Sequence, residues 1–239
     1  MTDLFIWAHR GASARAPENT LAAFRMALED GADGLELDVH LTRDGVPVVI
    51  HDETVDRTTD GTGQVRELDW QEISGLDAGT WFDQAFAGEA IPALVEVFQW
   101  NDGRLDLNVE IKEPSAGRAV LEIWRRFPAN RLVVSSFDHD LLKTLHRLEP
   151  ELPLGFLVET GDWQPAVERA VACRARCFNP RQDLVDRPMV ETCNSLGLAV
   201  YPWTVDGPVG LERLRELGVD GVFCNDPRRA RNLLARAGV

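Results

Sequence analysis

Eight short β-rich runs recur along this chain, most of them followed by an amphipathic helical stretch, and that alternation limits the fold more than any other feature. The runs fall at residues 5–8, 34–41, 107–111, 132–137, 154–158, 176–179, 198–205 and 221–224. Apolar residues at helical spacing predict helices over 20–30, 116–127, 140–148, 164–173, 185–196, 209–217 and 227–237. Strands separated by helices pair in parallel, because a crossover needs a dozen or more residues. The expected architecture is a single TIM-type (β/α)8 barrel over residues 1–239, with a doubly wound open sheet as the competing arrangement. Asn19 and Asp226 precede helical runs as N-caps, and the glycines of "EDGADGLE" and "LGVDGVF" turn helix ends into the next strand.

One stretch breaks the rhythm. Residues 52–103 hold no convincing barrel strand but carry the turn-rich "DRTTDGTG", "LDWQEISGL" and "GTWFDQAFAGE". They read as a long, partly helical insertion after the second barrel strand, and loops of that length in compact domains are usually functional or ordered by their own side chains.

Charge narrows the partners. A net charge of −14 disfavours nucleic acid and stable association with anionic membranes. No stretch approaches the roughly 18 apolar residues of a membrane span, and "MTDLFIWAHRGA" lacks a basic leader, so the cytoplasm is the expected location. Cys173, Cys177, Cys193 and Cys224 lack paired C-x-x-C spacing and read as reduced, buried thiols rather than a zinc site. Only two lysines occur, Lys112 and Lys143.

The segment "LELDVHLTRDGVPVVIHDE" (35–53) puts acids and imidazoles on one strand pair. Too few residues separate Leu41 from Pro47 for a crossover, so Asp44-Gly45 is expected to form a two-residue hairpin turn. That register sets Leu41 opposite Val48, Val39 opposite Ile50 and Asp38 opposite His51. Glu36, Asp38, His40 and His51 then share a face, with His40 at its rim. Two carboxylates this close repel unless a cation or a proton lies between them.

Neighbouring strand ends add to this face. His9 and Arg10 end the first strand in "AHRGA", and Glu110 and Lys112 end the third in "LNVEIK". In a parallel barrel such ends converge on one mouth. Glu36, Asp38 and Glu110, with no cysteine, suit one divalent cation, magnesium, calcium or manganese, better than zinc. His9 and His51 are placed for acid–base work, and Arg10 and Lys112 suit a phosphate oxyanion.

With these residues in view, the chain resembles the glycerophosphodiester phosphodiesterase family, related to the phosphatidylinositol-specific phospholipases C. The resemblance rests on "AHRGASARAPENTLAAF", "DGLELDVHLTRDGVPVVIHDETVDRTTDGTG", "LNVEIK", "SSFD", "PWTVD" and "GVDGVFCNDP", in family order. It implies a TIM-type barrel with an insertion, a divalent ion held by Glu36, Asp38 and Glu110, and His9 and His51 as general acid and base. It further implies phosphate contacts from Arg10 and Lys112 and an aromatic contact from Trp203. The expected reaction converts small glycerophosphodiesters, such as glycerophosphocholine or glycerophosphoethanolamine, to glycerol 3-phosphate and an alcohol. The alternatives are a related barrel phospholipase or lyase that stops at a cyclic phosphate, and a phosphodiester-binding protein without turnover. The chain departs from the family pattern at Asp206, where asparagine is frequent, and at Cys224, where threonine is common. Head-group choice and the number of copies in the native assembly are not written in these patterns.

Overall fold

A computed structural model describes residues 4–237. Its order is β1 (Phe5–His9), α1 (Leu21–Glu29), β2 (Gly34–Leu41), β3 (Pro47–Val49), α2 (Trp70–Ile73), α3 (Leu94–Asn101), β4 (Asp106–Ile111) and α4 (Gly117–Arg126). There follow β5 (Leu132–Ser136), α5 (His139–Leu148), β6 (Leu154–Val158), α6 (Gln164–Ala172), β7 (Cys177–Pro180) and α7 (Arg187–Ser195). The chain ends with β8 (Ala199–Val200), α8 (Pro208–Leu217), β9 (Gly221–Cys224) and α9 (Pro227–Ala237).

The strands pair in the order β8-β7-β6-β5-β4-β2-β1-β9, every step parallel, with β3 attached only to β2. The two ends of that path meet. Asp220 and Phe223 donate backbone N–H bonds to the carbonyls of Val200 and Pro202 at 3.1 and 2.9 Å. This near-closure settles the architecture as a (β/α)8 barrel and removes the doubly wound sheet. The expected strand 198–205 is short because Pro202 has no N–H to give, although Trp203 still bonds to Pro180 across β7.

Alternation sorts each strand. Leu35, Leu37 and Val39 face the helices within the main core, while Gly34, Glu36 and Asp38 face the barrel interior. Aromatics plug the N-terminal end of that interior. The Trp7 ring lies 4.7 Å from Phe5, 5.8 Å from Phe223 and 5.9 Å from Tyr201. Gly34 admits it, since a Cβ there would stand 2.4 Å from the Trp7 ring. The polar residues are left at the C-terminal mouth.

The hairpin register differs from expectation. Val39 pairs with Val49, His40 with Val48 and Leu41 with Pro47, one residue away from the sequence-based pairing. The loop has three residues rather than two: Thr42 N–H bonds to Val46, and Gly45 takes φ 82°, so Asp44-Gly45 ends in a left-handed bulge. Val49 therefore joins the main core, while Val48 and Ile50 turn to a second apolar cluster. His51 falls beyond β3 and is not the strand partner of Asp38; Ile50 takes that place, with its N–H on the Asp38 carbonyl.

That second cluster organises the long excursion. Val48, Ile50, Val55, Val65, Ile73, Ala78 and Ile91 are buried together, with α2 and two single 3₁₀ turns around them. The stretch has an apolar centre of its own up to residue 93. From Leu94 onward it does not: Leu94, Val97 and Phe98 of α3 sit in the main core, as a barrel helix would.

All four cysteines are free and buried, and burial pushes the Cys177 and Cys193 thiols up to about 12. An aromatic disulfide reagent at pH 8 is therefore expected to titrate no thiol in the native protein within minutes and four after denaturation. Fast titration of one or more native thiols would contradict this packing.

Candidate active site

The C-terminal mouth is built from three adjacent strands. Parallel pairing puts His9 beside Glu36, and Asp38 beside Glu110. Glu36, Asp38 and Glu110 are buried and present carboxylate oxygens all within 4.8 Å of one another. Two cations lie among them. Lys112 Nζ is 2.9 Å from Asp38 and 2.5 Å from Glu110, and Arg10 Nε is 3.2 Å from Asp38. His9, Arg10, Glu36, His51, Glu110, Lys112 and Trp203 line one open pocket, while Asp38 does not line it and pairs with Arg10 and Lys112, which do.

The three acids do not titrate alike. Burial opposes it, yet Lys112 and Arg10 hold the Asp38 carboxyl well below the usual carboxylate range. Burial and the Asp38 charge push Glu110 up to about 7. Burial, Asp38 and Glu110 raise Glu36 well above its ordinary value. The site thus holds more carboxylate than its two cations neutralise. Glu36 Oε1 is buried and accepts no hydrogen bond, an orphaned acceptor at the centre of the cluster. An all-oxygen donor set short of positive charge fits a hard divalent cation.

The β1–α1 loop shapes the site through its backbone. Arg10 adopts a left-handed φ of 57°, which aims its N–H at Glu36 Oε2, 3.0 Å away. Gly11 follows at φ 81°, and a Cβ there would meet the Ala23 backbone at 2.7 Å. Asn19, expected to cap α1, does not. Thr20 is the cap, and Asn19 instead gives its amide to Asp38 Oδ2 at 2.8 Å while receiving the Asp38 N–H. A capping pattern therefore conceals a residue that orients a carboxylate.

Both histidines are held through Nδ1, by different groups. His9 Nδ1 is 2.7 Å from Asn225 Oδ1, and Asn225 is fixed by giving its N–H and side-chain amide to Asp206 at 2.7 and 2.6 Å. Asp206 thus spends its charge on Asn225. His51 Nδ1 is 2.6 Å from Asp52, the next residue, and not on Asp38 as the expected register implied. Burial and the Arg10 charge push His9 down to about 4, and burial lowers His51. His40, expected at a solvated rim, is buried and reaches the His51 carbonyl with Nε2 at 3.1 Å, so it braces the segment that carries His51.

Across the pocket the wall is apolar. Phe137 stacks edge-on to Trp203 at 5.6 Å, and Leu157 lies beside them. Trp203 is pinned by its indole N–H on the Asn179 carbonyl at 2.8 Å. Sequence reading passed over Glu18, Asp52, Arg57 and Asn225. Asp52 alone had a visible signal, since it directly follows His51; the others come from distant loops.

Residues 9–229 match the glycerophosphoryl diester phosphodiesterase family. A glycerophosphodiester phosphodiesterase of Caldanaerobacter subterraneus subsp. tengcongensis is 42% identical over 238 residues, covering 97% of this chain and 98% of that protein. An Oleispira antarctica phosphodiesterase, solved with the product sn-glycerol-3-phosphate, superposes with a TM-score of 0.90 at 31% identity, covering 96% of each chain. The glycerophosphodiester phosphodiesterase of Agrobacterium tumefaciens gives a TM-score of 0.85 at 32% identity over 96% of this chain and 100% of that one. With a barrel mouth of this composition and full-length matches on both counts, the chain belongs to the glycerophosphodiester phosphodiesterase family and is an enzyme of that class.

Proposed function

We propose that the protein hydrolyses small glycerophosphodiesters, such as glycerophosphocholine or glycerophosphoethanolamine, to glycerol 3-phosphate and an alcohol. In this reading His9 and His51 transfer the protons and Glu36, Asp38 and Glu110 hold one magnesium or calcium ion. The observation that carries it is the convergence of two Nδ1-anchored histidines on a pocket whose buried carboxylates exceed its cations. When bound, the ion would neutralise these carboxylates and polarise a phosphate oxygen.

The chain's own groups do the rest. Arg10 and Lys112 face the pocket and offset charge that builds on the phosphate oxygens as the diester is attacked. Because Asn225 Nδ2 donates to Asp206, its Oδ1 must face His9, which keeps the proton on His9 Nδ1 and a lone pair on Nε2. His9 therefore suits the base that deprotonates the attacking hydroxyl, from water or the glycerol 2-position. The Asp52 carboxylate holds the His51 Nδ1 proton and opposes the burial that lowers this imidazole, and in this reading His51, once protonated at Nε2 as well, is the acid that protonates the departing alkoxide. Trp203 and Phe137 would pack the apolar face of the substrate carbons.

Incubation of the purified, metal-supplied protein with glycerophosphocholine in ¹⁸O-water tests this. Glycerol 3-phosphate carrying one labelled oxygen is expected; accumulation of a cyclic phosphate, or binding with no product, would refute hydrolysis.

His9 also gives a pH signature. Its folded value lies below the ordinary 6.5, so as pH falls the unfolded chain takes up this proton first. The contribution is fully present above about 6.5 and is lost as pH drops toward about 4. In chelator, urea stability of His9→Gln should decline less between pH 7 and 4.5 than that of wild type. Equal declines would show that His9 is not buried neutral.

A further inference from the structure

One side chain ties the β1–α1 loop to the excursion after β3 at the mouth. Arg57 sits in the turn-rich start of the excursion. Its guanidinium gives Nε to Asp52 Oδ2 at 2.6 Å and one terminal nitrogen to Asp52 Oδ1 at 3.2 Å. Its other edge gives two bonds to Glu18, at 2.9 and 2.8 Å. Asp52 in turn holds His51 Nδ1 at 2.6 Å, and Glu18 holds Arg10 at 2.9 Å. The result is a chain of alternating charge, His51–Asp52–Arg57–Glu18–Arg10–Asp38, that runs around the rim from one side of the pocket to the other.

The geometry points to Arg57 as a positioning residue that locks His51 and Arg10 to one another through Asp52 and Glu18. The inference rests on the proposed roles of those two residues. A guanidinium is required for it: two carboxylates are gripped on two edges of one plane, which an ammonium cannot do. Asp52 accepts from both Arg57 and His51 and so has its rotation fixed from both sides. Without Arg57, Asp52 can turn to water and release the His51 ring. Among the described residues Glu18 would then be left with Arg10, and would draw that guanidinium away from the pocket.

The plain alternative is a surface ion-pair cluster that only ties two loops together. The Arg57 side chain is 44% exposed, and exposed pairs of this kind add little stability. The two readings separate in a mutant cycle. Arg57→Ala is expected to lower kcat by ~10–100-fold, the usual cost of losing a group that orients functional residues. Arg57→Lys should recover little of it. In the Glu18→Ala/Asp52→Ala background, removing Arg57 should change kcat by less than about twofold, because the residues it acts through are gone. The same fold-loss in both backgrounds, or full recovery by lysine, would overturn the inference. If Arg57→Ala fails to fold, Arg57→Gln enters the same cycle.

A readout independent of turnover keeps this apart from the substrate assignment. The His51 Nδ1–H proton, observed by ¹⁵N-edited NMR, should lie far downfield in wild type and move upfield in Arg57→Ala. An unmoved resonance would refute the link whatever the substrate. A moved resonance in a protein that cleaves no glycerophosphodiester would support the link and refute the reading of function.

Discussion

Replacing His9 or His51 by alanine is expected to lower the rate of phosphodiester cleavage by ~10²–10⁴-fold, the scale of general acid–base catalysis. Neither substitution should unfold the protein. His9 keeps about a fifth of its side chain accessible and His51 about a third, so neither anchors the barrel. The two variants should fail differently. His9→Ala removes the Nε2 lone pair beside Glu36 and leaves Asn225 with Ser13 and Asp206 as partners. His51→Ala removes the proton donor and leaves Asp52 on Arg57. A substrate with a better leaving group, such as a nitrophenyl phosphodiester, needs less help from an acid. It should therefore restore much of the loss in His51→Ala and little of that in His9→Ala. The double variant should lose less than the product of the two single losses, since groups acting in one step are not additive. Near-wild-type turnover by either single variant would remove that histidine from the chemistry.

The second large effect concerns the acids. Glu36→Gln and Glu110→Gln are each expected to weaken divalent-ion binding by at least an order of magnitude and to reduce activity in proportion at limiting metal. Glu36→Gln should not destabilise the metal-free protein. Glu36 is buried with two like charges nearby and an oxygen that accepts no hydrogen bond, which is costly in the absence of a cation. Its replacement by a neutral amide relieves that repulsion. The metal-free melting temperature should hold or rise, as is common where a functional site is kept against its own stability. Asp38→Asn should behave in the opposite way. Asp38 carries the charge shared by Lys112 and Arg10, so among the described residues its loss leaves Lys112 with only the Glu110 carboxyl, which burial pushes toward its neutral form, and Arg10 with Glu18. Isothermal titration with metal and thermal melts in chelator measure both halves of this contrast.

Much of the fold could be read from the chain because buried parallel strands and amphipathic helices leave strong local patterns. β2, β6, β9 and α9 begin and end where apolar periodicity places them. The interior aromatic plug had no such signal, since Trp7, Tyr201 and Phe223 come together only when the sheet closes. The hairpin error has a local cause. "RDG" serves a two-residue turn or a three-residue loop with Gly45 left-handed, and one residue of loop length inverts the faces of the second strand. Apolar residues on both faces of β3 disguised the choice, because Val49 faces the main core and Val48 faces the second cluster.

The site divided along similar lines. Residues at strand ends were legible, because strand order and alternation alone carry His9, Glu36, Asp38 and Glu110 to one mouth. The residues that hold them were not. Asn225 is far from His9 in sequence, and Glu18 meets Arg57 across two loops with irregular backbone. Such contacts are set by loop geometry, for which neither period nor propensity leaves a trace. Asp206 illustrates the limit. It stands out in the sequence only as a departure from the family pattern, yet it turns toward Asn225 and acts on His9 at one remove.

The central claim is that the acidic mouth is a cation-dependent site for cleaving glycerophosphodiesters. Its most direct test is release of glycerol 3-phosphate from glycerophosphocholine by the purified protein, after exhaustive chelation and again with magnesium, calcium or manganese restored. The expected result is no release in chelator and recovery with at least one of the three ions. Undiminished release in chelator, or none with any ion from folded protein, would contradict it.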